Sequence, residues 1–188
     1  MKVDALLSRT LSCTLSRTLI IGIGNRYRGD DALGCLLADK IKQALSNEQL
    51  MNKRTNKLTN TIDIIEHDGE PAALIDCWQG YDTAILIDAV SSGTTAGTIH
   101  HIDLQTQALP DQFRSYSTHA FGIAEAVELA RVLDKLPPKI LFYGIEGESF
   151  AADTKLSDTL KKAATLLLQQ ILHTINSEKE IEKEKRHA

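Results

Sequence analysis

Acidic residues follow apolar segments of this chain at the points where buried strands should end. Asp30 and Asp31 come after the apolar residues 19–23 and a glycine-rich turn, and Asp88 closes a second apolar segment. A strand, a glycine turn and a helix usually cradle a phosphate, because helix N-termini attract anions. Two carboxylates at that place repel a phosphate and attract a cation. The sequence therefore predicts a cation-binding turn.

An imidazole completes a candidate set of metal ligands. His119 stands where the residues 117–119 open a predicted helix. Carboxylate oxygen and imidazole nitrogen suit Zn, Mn, Fe or Ni, and three protein ligands leave coordination positions open for a substrate. Simpler interpretations stay open beside this one. Asp30 or Asp31 would also serve as a helix N-cap, Asp88 as an acceptor for loop N–H groups, and His119 as a structural histidine.

Other titratable residues fall at the same strand ends. Residues 66–68 (Glu, His, Asp) close a predicted strand, and Glu146 follows the last one. His100 and His101 are adjacent on a predicted strand, so they point to opposite faces and cannot readily bind one ion together. We expect both histidines to be edge or surface residues.

The pattern of strands and helices gives the frame for these groups. Apolar or alternating segments predict strands at 19–23, 61–67, 83–88, 97–104 and 139–145, with helical spacing between or after most of them. This alternation is typical of an α/β fold: a three-layer sandwich with a mostly parallel, twisted sheet of about five strands and helices on both faces. Ligands of open α/β sheets bind outside the carboxyl ends of the strands, so the acids and His119 should share one edge.

Length and composition favour a single domain in a reducing compartment. The 188 residues divide into an N-terminal extension (1–17), one domain (18–176) and a charged tail (177–188). A net charge of −4 without a basic stripe argues against a nucleic-acid partner, and no apolar run is long enough for a membrane span. The N-terminus lacks an apolar signal segment, and the three cysteines form no Cys-x-x-Cys pair. We expect a cytoplasmic protein.

Five ordered motifs resemble the hydrogenase maturation proteases, the endopeptidases that trim the C-terminal extension of [NiFe]-hydrogenase large-subunit precursors. The matching segments are residues 22–34, 63–69, 86–89, 117–122 and 143–146. They stand in the order of the family, and together they are highly specific. The resemblance implies a twisted sheet sandwiched by helices, with one antiparallel strand.

The resemblance also implies a substrate and a set of roles. The partner would be a [NiFe]-hydrogenase large-subunit precursor, and nickel carried by that substrate would be recognised by Asp31, Asp88 and His119. Asp31 and Asp88 would be the catalytic carboxylates, either with metal assistance or as an aspartic-protease-type pair. The isolated protein could hold another divalent ion in the same place. The glycines predict that Gly24 and Asn25, with Asp30, shape the substrate pocket or donate a backbone contact to an oxyanion.

Two other function classes are the alternatives. The spacing of Gly22 and Gly24 begins a dinucleotide-binding fingerprint, but Tyr27 stands where its third glycine belongs, so a nucleotide-binding protein is weakly indicated. A non-proteolytic metal-binding protein on the same scaffold is the other alternative. Appearance of a C-terminal peptide from the precursor would separate the protease from both.

Overall fold

The computed structural model of the chain describes residues 16–51, 61–114, 118–152 and 155–185. Its strands are β1 (Arg17–Ile23), β2 (Thr61–His67), β3 (Thr83–Val90), β4 (Ile99–Asp103) and β5 (Lys139–Glu146). Its helices are α1 (Leu33–Met51), α2 (Pro71–Cys77), α3 (Asp111–Arg114), α4 (Thr118–Val132) and α5 (Asp158–Lys185). A short 3₁₀ turn, Gly29–Ala32, precedes α1.

The strands form one sheet in the order β2-β1-β3-β5-β4. All neighbouring pairs are parallel except β4 with β5, which is antiparallel. The predicted α/β fold is confirmed, including the mostly parallel sheet of five strands. The alternating segment near residue 100 is an edge strand, as its one-sided pattern predicts.

Helices cover both faces of the sheet, and the strand period of two assigns the side chains to them. Leu19, Ile21 and Ile23 of β1 pack in a core with residues of α2 and α4. Ile20, between them, packs in a second core with residues of α1 and α5. We call these the α2/α4 face and the α1/α5 face of the sheet.

Several element boundaries differ from the predicted ones. Helix α4 ends at Val132, and the next residue, Leu133, is half-exposed. Helix α5 continues through most of the predicted charged tail to Lys185, since Glu and Lys are good helix formers. The N-terminal residues 1–15 and the basic residues 52–60 lie outside the described residues. No helix within the described ranges combines the length and apolar character that a membrane span requires.

Candidate active site

A glycine turn folds the chain back onto Asp31. Gly24 has a φ of +142°, and a Cβ atom there would lie 1.9 Å from the Asp31 carbonyl oxygen. The Asn25 N–H donates to that same oxygen at 3.1 Å, and the Gly24 N–H donates to the His67 carbonyl. Only glycine fits the first position. The turn therefore holds the backbone of Asp31 at the carboxyl ends of β1 and β2.

Two close backbone contacts bring Asp31 toward Asp88. A Cβ atom on Gly34 would lie 2.1 Å from the Ile23 carbonyl oxygen and 2.5 Å from that of Ile87. The first turn of α1 thus rests directly on the ends of β1 and β3, and Asp88 is the next residue of β3. Asp31 is 4% exposed and Asp88 is fully buried. Burial of carboxylates is costly without compensation by charge or hydrogen bonds, and such groups cluster at functional sites.

The strand registers place Asp88 in a row of residues that crosses the whole sheet. Asp88 pairs with Gly144, and Gly144 pairs with His100 of the edge strand. In the other direction Gly22 pairs with Ile87, so Ile23 is level with Asp88, and Ile23 pairs with His67. Because Leu86 and Val90 lie in the core beneath α2 and α4, the Asp88 side chain between them lies on the α2/α4 face.

The N-terminus of α4 lies on the same face and at the same edge. A Cβ atom on Gly122 would be 2.2 Å from the Gly69 carbonyl oxygen, so the first turn of α4 touches the loop that follows β2. His119 belongs to this turn, but its side chain is outside the described part of the chain. Among the side chains that are described, no three His, Cys, Asp or Glu residues converge to hold a metal ion. The ligand set of Asp31, Asp88 and His119 stays a prediction.

The carboxylate of Asp30 holds a different loop. Its Oδ2 accepts the N–H groups of Glu148 and Ser149 at 2.7 and 2.9 Å, and its Oδ1 accepts that of Ser157 at 2.7 Å. It makes no capping bond in its own 3₁₀ turn. Asp30 is fully buried. The residue predicted for the substrate pocket is thus bonded to the segment between β5 and α5.

The predicted oxyanion contact from the glycine turn does not fit the backbone bonds. The N–H groups of Gly24 and Asn25 are already donated within the protein, as described above. The Asn25 side-chain oxygen accepts the Tyr27 N–H at 2.9 Å. The place of these two residues in the substrate pocket stays a prediction, but their backbone N–H groups are not available as oxyanion donors.

Glu146 anchors the loop after β3. Its carboxylate accepts the N–H groups of Ser92 and Gly93 and the Ser92 hydroxyl, at 2.7 to 2.9 Å. Burial alone raises the pKa of this carboxyl, but the hydrogen bonds from Ser92, Gly93 and Thr94 outweigh burial and hold the pKa below its ordinary value. His100 Nε2 lies 3.5 Å from the same carboxylate. This histidine lies on the edge strand, as expected, but its side chain is only 16% exposed.

A charged network and a buried thiol brace the glycine turn from the α1 side. Arg26 donates from Nε to Glu66 at 2.7 Å and also donates to Asp39 at 2.6 Å. The Cys35 thiol donates to the Gly24 carbonyl at 3.6 Å. Burial, and then the Glu66 carboxylate, raise the pKa of this thiol to about 12, so it remains protonated. The sequence gave no sign that this thiol lies beneath the glycine turn.

His100 and His101 face opposite sides of the sheet, as the strand period predicts. The His100 ring meets Phe113 edge-on at 4.8 Å, and His101 stacks on Tyr143 at 4.5 Å.

His67 lies at the site edge on the α2/α4 face. Sequence reasoning placed it at a strand end without a role, because only the strand register shows which residues are level with Asp88.

The sequence and fold of this chain are similar to those of known maturation proteases. The family model described as HycI, hydrogenase maturation protease, matches residues 47–174, which is more than half of the chain. The Hydrogenase 2 maturation protease of Escherichia coli (strain K12) is 24% identical over 158 residues, which cover 83% of this chain and 88% of the relative.

Solved structures agree at the level of the fold. The hydrogenase maturating endopeptidase HybD from Escherichia coli has a TM-score of 0.69 at 22% identity, over 86% of this chain and 93% of that one. The [NiFe] hydrogenase maturation protease HycI from Thermococcus kodakarensis has a TM-score of 0.62 at 22% identity, with the same coverage. The family match spans Asp88 and His119, and the glycine turn with Asp31 precedes it. By the family match, this chain is a peptidase and belongs to the hydrogenase maturation protease family.

Proposed function

We propose that this peptidase removes the C-terminal extension of a [NiFe]-hydrogenase large-subunit precursor after nickel has been inserted. The observation that carries the proposal is the pair of buried carboxylates, Asp31 and Asp88, which the glycine turn and β3 bring to one edge of the sheet. Family membership supplies the substrate class, since hydrogenase maturation is the process in which these proteases act. The site lies where open α/β sheets bind their ligands.

Nickel in the precursor is the recognition element in this proposal. Carboxylates and imidazole are suitable ligands for nickel, and the predicted donors Asp31, Asp88 and His119 combine both types. A precursor without the metal would offer these groups nothing to bind. Recognition of the metal would thus restrict cleavage to precursors that have already been loaded.

Hydrolysis then requires a proton acceptor and stabilisation of negative charge. One of the carboxylates, Asp31 or Asp88, accepts a proton as water adds to the scissile carbonyl carbon, and the amine takes a proton as the C–N bond breaks. A general base contributes typically about 10²–10⁴-fold to the rate. Stabilisation of the oxyanion must supply a further part, and its donors are preorganised groups at the same edge.

The test is cleavage of the host's own large-subunit precursors, in nickel-loaded and nickel-free form, followed by intact-mass spectrometry. We expect release of a C-terminal peptide from the loaded form only. Asp31→Asn and Asp88→Asn should each reduce the cleavage rate at least about 10²-fold, the lower bound for loss of a general base. His119→Ala should also stop processing of the loaded form, because it removes one of the predicted nickel ligands.

The matched control is Asp76→Asn, which alters an exposed acid near the end of α2. It should cleave at the wild-type rate. Normal trimming by Asp31→Asn and Asp88→Asn would contradict the site. Equal cleavage of the nickel-free precursor by the wild type would contradict the recognition role of nickel while leaving the protease assignment intact.

A further inference from the structure

His67 lies level with Asp88 and on the same face of the sheet. Ile23 of the intervening strand pairs with His67 and is level with Asp88. Ile65, two residues earlier in β2, packs against the core beneath α2 and α4, so His67 lies on that face too. Neighbouring strands are about 4.8 Å apart, which separates the Cα atoms of His67 and Asp88 by roughly 10 Å. The fully buried Ile23 side chain lies between them on the same face, so a substrate segment that meets both residues must lie above Ile23.

Hydrogen bonding fixes the tautomer of His67. Its Nδ1 accepts the N–H of Gly69 at 2.9 Å. The Asp68 carboxylate lies 3.4 Å from the same nitrogen, but the shorter bond from the backbone N–H requires Nδ1 to be the acceptor. The ring proton of neutral His67 is therefore on Nε2. The bond also restricts rotation of the ring, so Nε2 is a donor in a fixed place.

A small part of the His67 side chain is open to solvent. The His67 side chain is 9% exposed, and no residue in the described ranges accepts a hydrogen bond from Nε2. The loop that holds the ring is packed against the first turn of α4 through Gly69 and Gly122. The ring is thus positioned by β2, by its loop and by α4, and its remaining nitrogen is unused within this part of the protein.

We propose that His67 Nε2–H donates a hydrogen bond to the scissile carbonyl oxygen and stabilises the oxyanion that forms there. The inference rests on the proposed protease function and fills the role that the Gly24 and Asn25 N–H groups cannot take. His67 keeps its proton throughout. The proton of the attacking water goes to a carboxylate, the C–N bond breaks, and the amine leaves with a proton. His67 is a substrate-positioning donor opposite Asp88.

A pair of substitutions separates this role from a purely structural one. His67→Asn keeps an acceptor near the position of Nδ1 for the Gly69 N–H but has no donor at the position of Nε2. His67→Gln places an amide N–H near the position of Nε2. We expect kcat to fall about 10²-fold in His67→Asn, the typical effect of losing one oxyanion donor, and to recover at least in part in His67→Gln. KM for the nickel-loaded precursor should change far less than kcat.

The control is His173→Asn, which alters an exposed histidine on α5 and should leave kcat unchanged. Thermal unfolding of each variant confirms that it is folded. Full activity in His67→Asn would overturn the inference, and so would a larger loss in His67→Gln than in His67→Asn, because that order points to the Gly69 bond. A wild-type protein that releases no peptide would instead overturn the proposed function, so the two failures are distinguishable.

Discussion

At the scale of single residues, the adjacent acids Asp30 and Asp31 have different roles. Asp30 and Asp31 both lie in the 3₁₀ turn before α1 and both are buried. The Asp30 carboxylate is committed to three backbone N–H groups of the segment between β5 and α5. Two neighbouring carboxylates with similar burial would suggest one shared role. The bonding pattern divides them into a residue that supports the site and the residue predicted to act in it.

The first prediction concerns Asp30. Asp30→Ala removes the acceptor of three partly buried N–H hydrogen bonds, so we expect the free energy of unfolding to fall by about 3 kcal/mol or more. Asp30→Asn retains one acceptor oxygen, so its free energy of unfolding should lie between those of the wild type and Asp30→Ala. Urea unfolding followed by circular dichroism measures both, with Asp76→Asn expected to change stability by less than about 0.5 kcal/mol. Wild-type stability of Asp30→Ala would contradict the anchoring role.

A folded Asp30→Asn protein also tests the predicted place of Asp30 in the substrate pocket. A rise in KM for the precursor without loss of stability would support direct contact with substrate. A loss of activity that parallels the loss of stability would show that Asp30 acts only through the loop it holds.

At the scale of elements, the site depends on how closely α1 approaches the sheet. Gly22 and Gly34 face each other across the β1–α1 contact, and a Cβ on Gly22 would lie 2.2 Å from the Gly34 carbonyl oxygen. Backbone atoms, which cannot rotate away, form most of the contacts at both positions. The glycines of the first motif therefore set the distance between helix and strands, in addition to forming the turn.

The second prediction tests this close approach. Gly34→Ala adds a methyl group within 2.5 Å of two carbonyl oxygens, so α1 must shift away from the sheet. We expect a loss of about 3 kcal/mol or more in the free energy of unfolding, as in a severe overpacking substitution. Differential scanning calorimetry would record it as a lower Tm.

Gly93→Ala is the matched control for the added methyl group. Gly93 has a φ of +84°, and its Cβ would meet nothing within 4 Å. It should therefore lose only about 1–2 kcal/mol, the cost of a left-handed conformation for a residue with a side chain. A loss at Gly34 no larger than that at Gly93 would contradict the role of close packing.

The sequence was sufficient to predict the strands, the edge position of β4 and the edge that collects Asp31 and Asp88, because these follow from apolar runs and turn residues. It could not predict the partners of Asp30, which lie more than a hundred residues away along the chain. Nor could it place His67 level with Asp88, since the strand order and register depend on tertiary packing. Local sequence patterns thus predict helices and strands, whereas only the structure shows which residues are level with one another across the sheet.

At the scale of the whole molecule, carboxylates hold several loops together at the carboxyl edge of the sheet. Glu146 binds the loop after β3, and Glu66 holds the glycine turn through Arg26. The Arg26 hydrogen bond is the main cause that lowers the pKa of Glu66, and hydrogen bonds lower that of Glu146 against the effect of burial. Both groups must be ionised for these loops to keep their bonds, which links the structure of this edge to pH.

The third prediction follows from the sign of these shifts. A carboxyl whose pKa is lower in the folded than in the unfolded protein stabilises the folded state. Its full contribution is present at pH values above its pKa in the unfolded protein, here the ordinary 4.5. That contribution is lost as the pH falls through the folded pKa, because unfolding then takes up protons. We expect the free energy of unfolding to decline on acidification below about pH 5, and Glu146→Gln to be less stable at pH 7 but to decline less steeply.

Urea unfolding from pH 7 to pH 3 measures the slopes, and Glu125→Gln, an exposed substitution on α4, should follow the wild-type curve. Parallel curves for the wild type and Glu146→Gln would show that this buried carboxylate is not a source of the acid sensitivity.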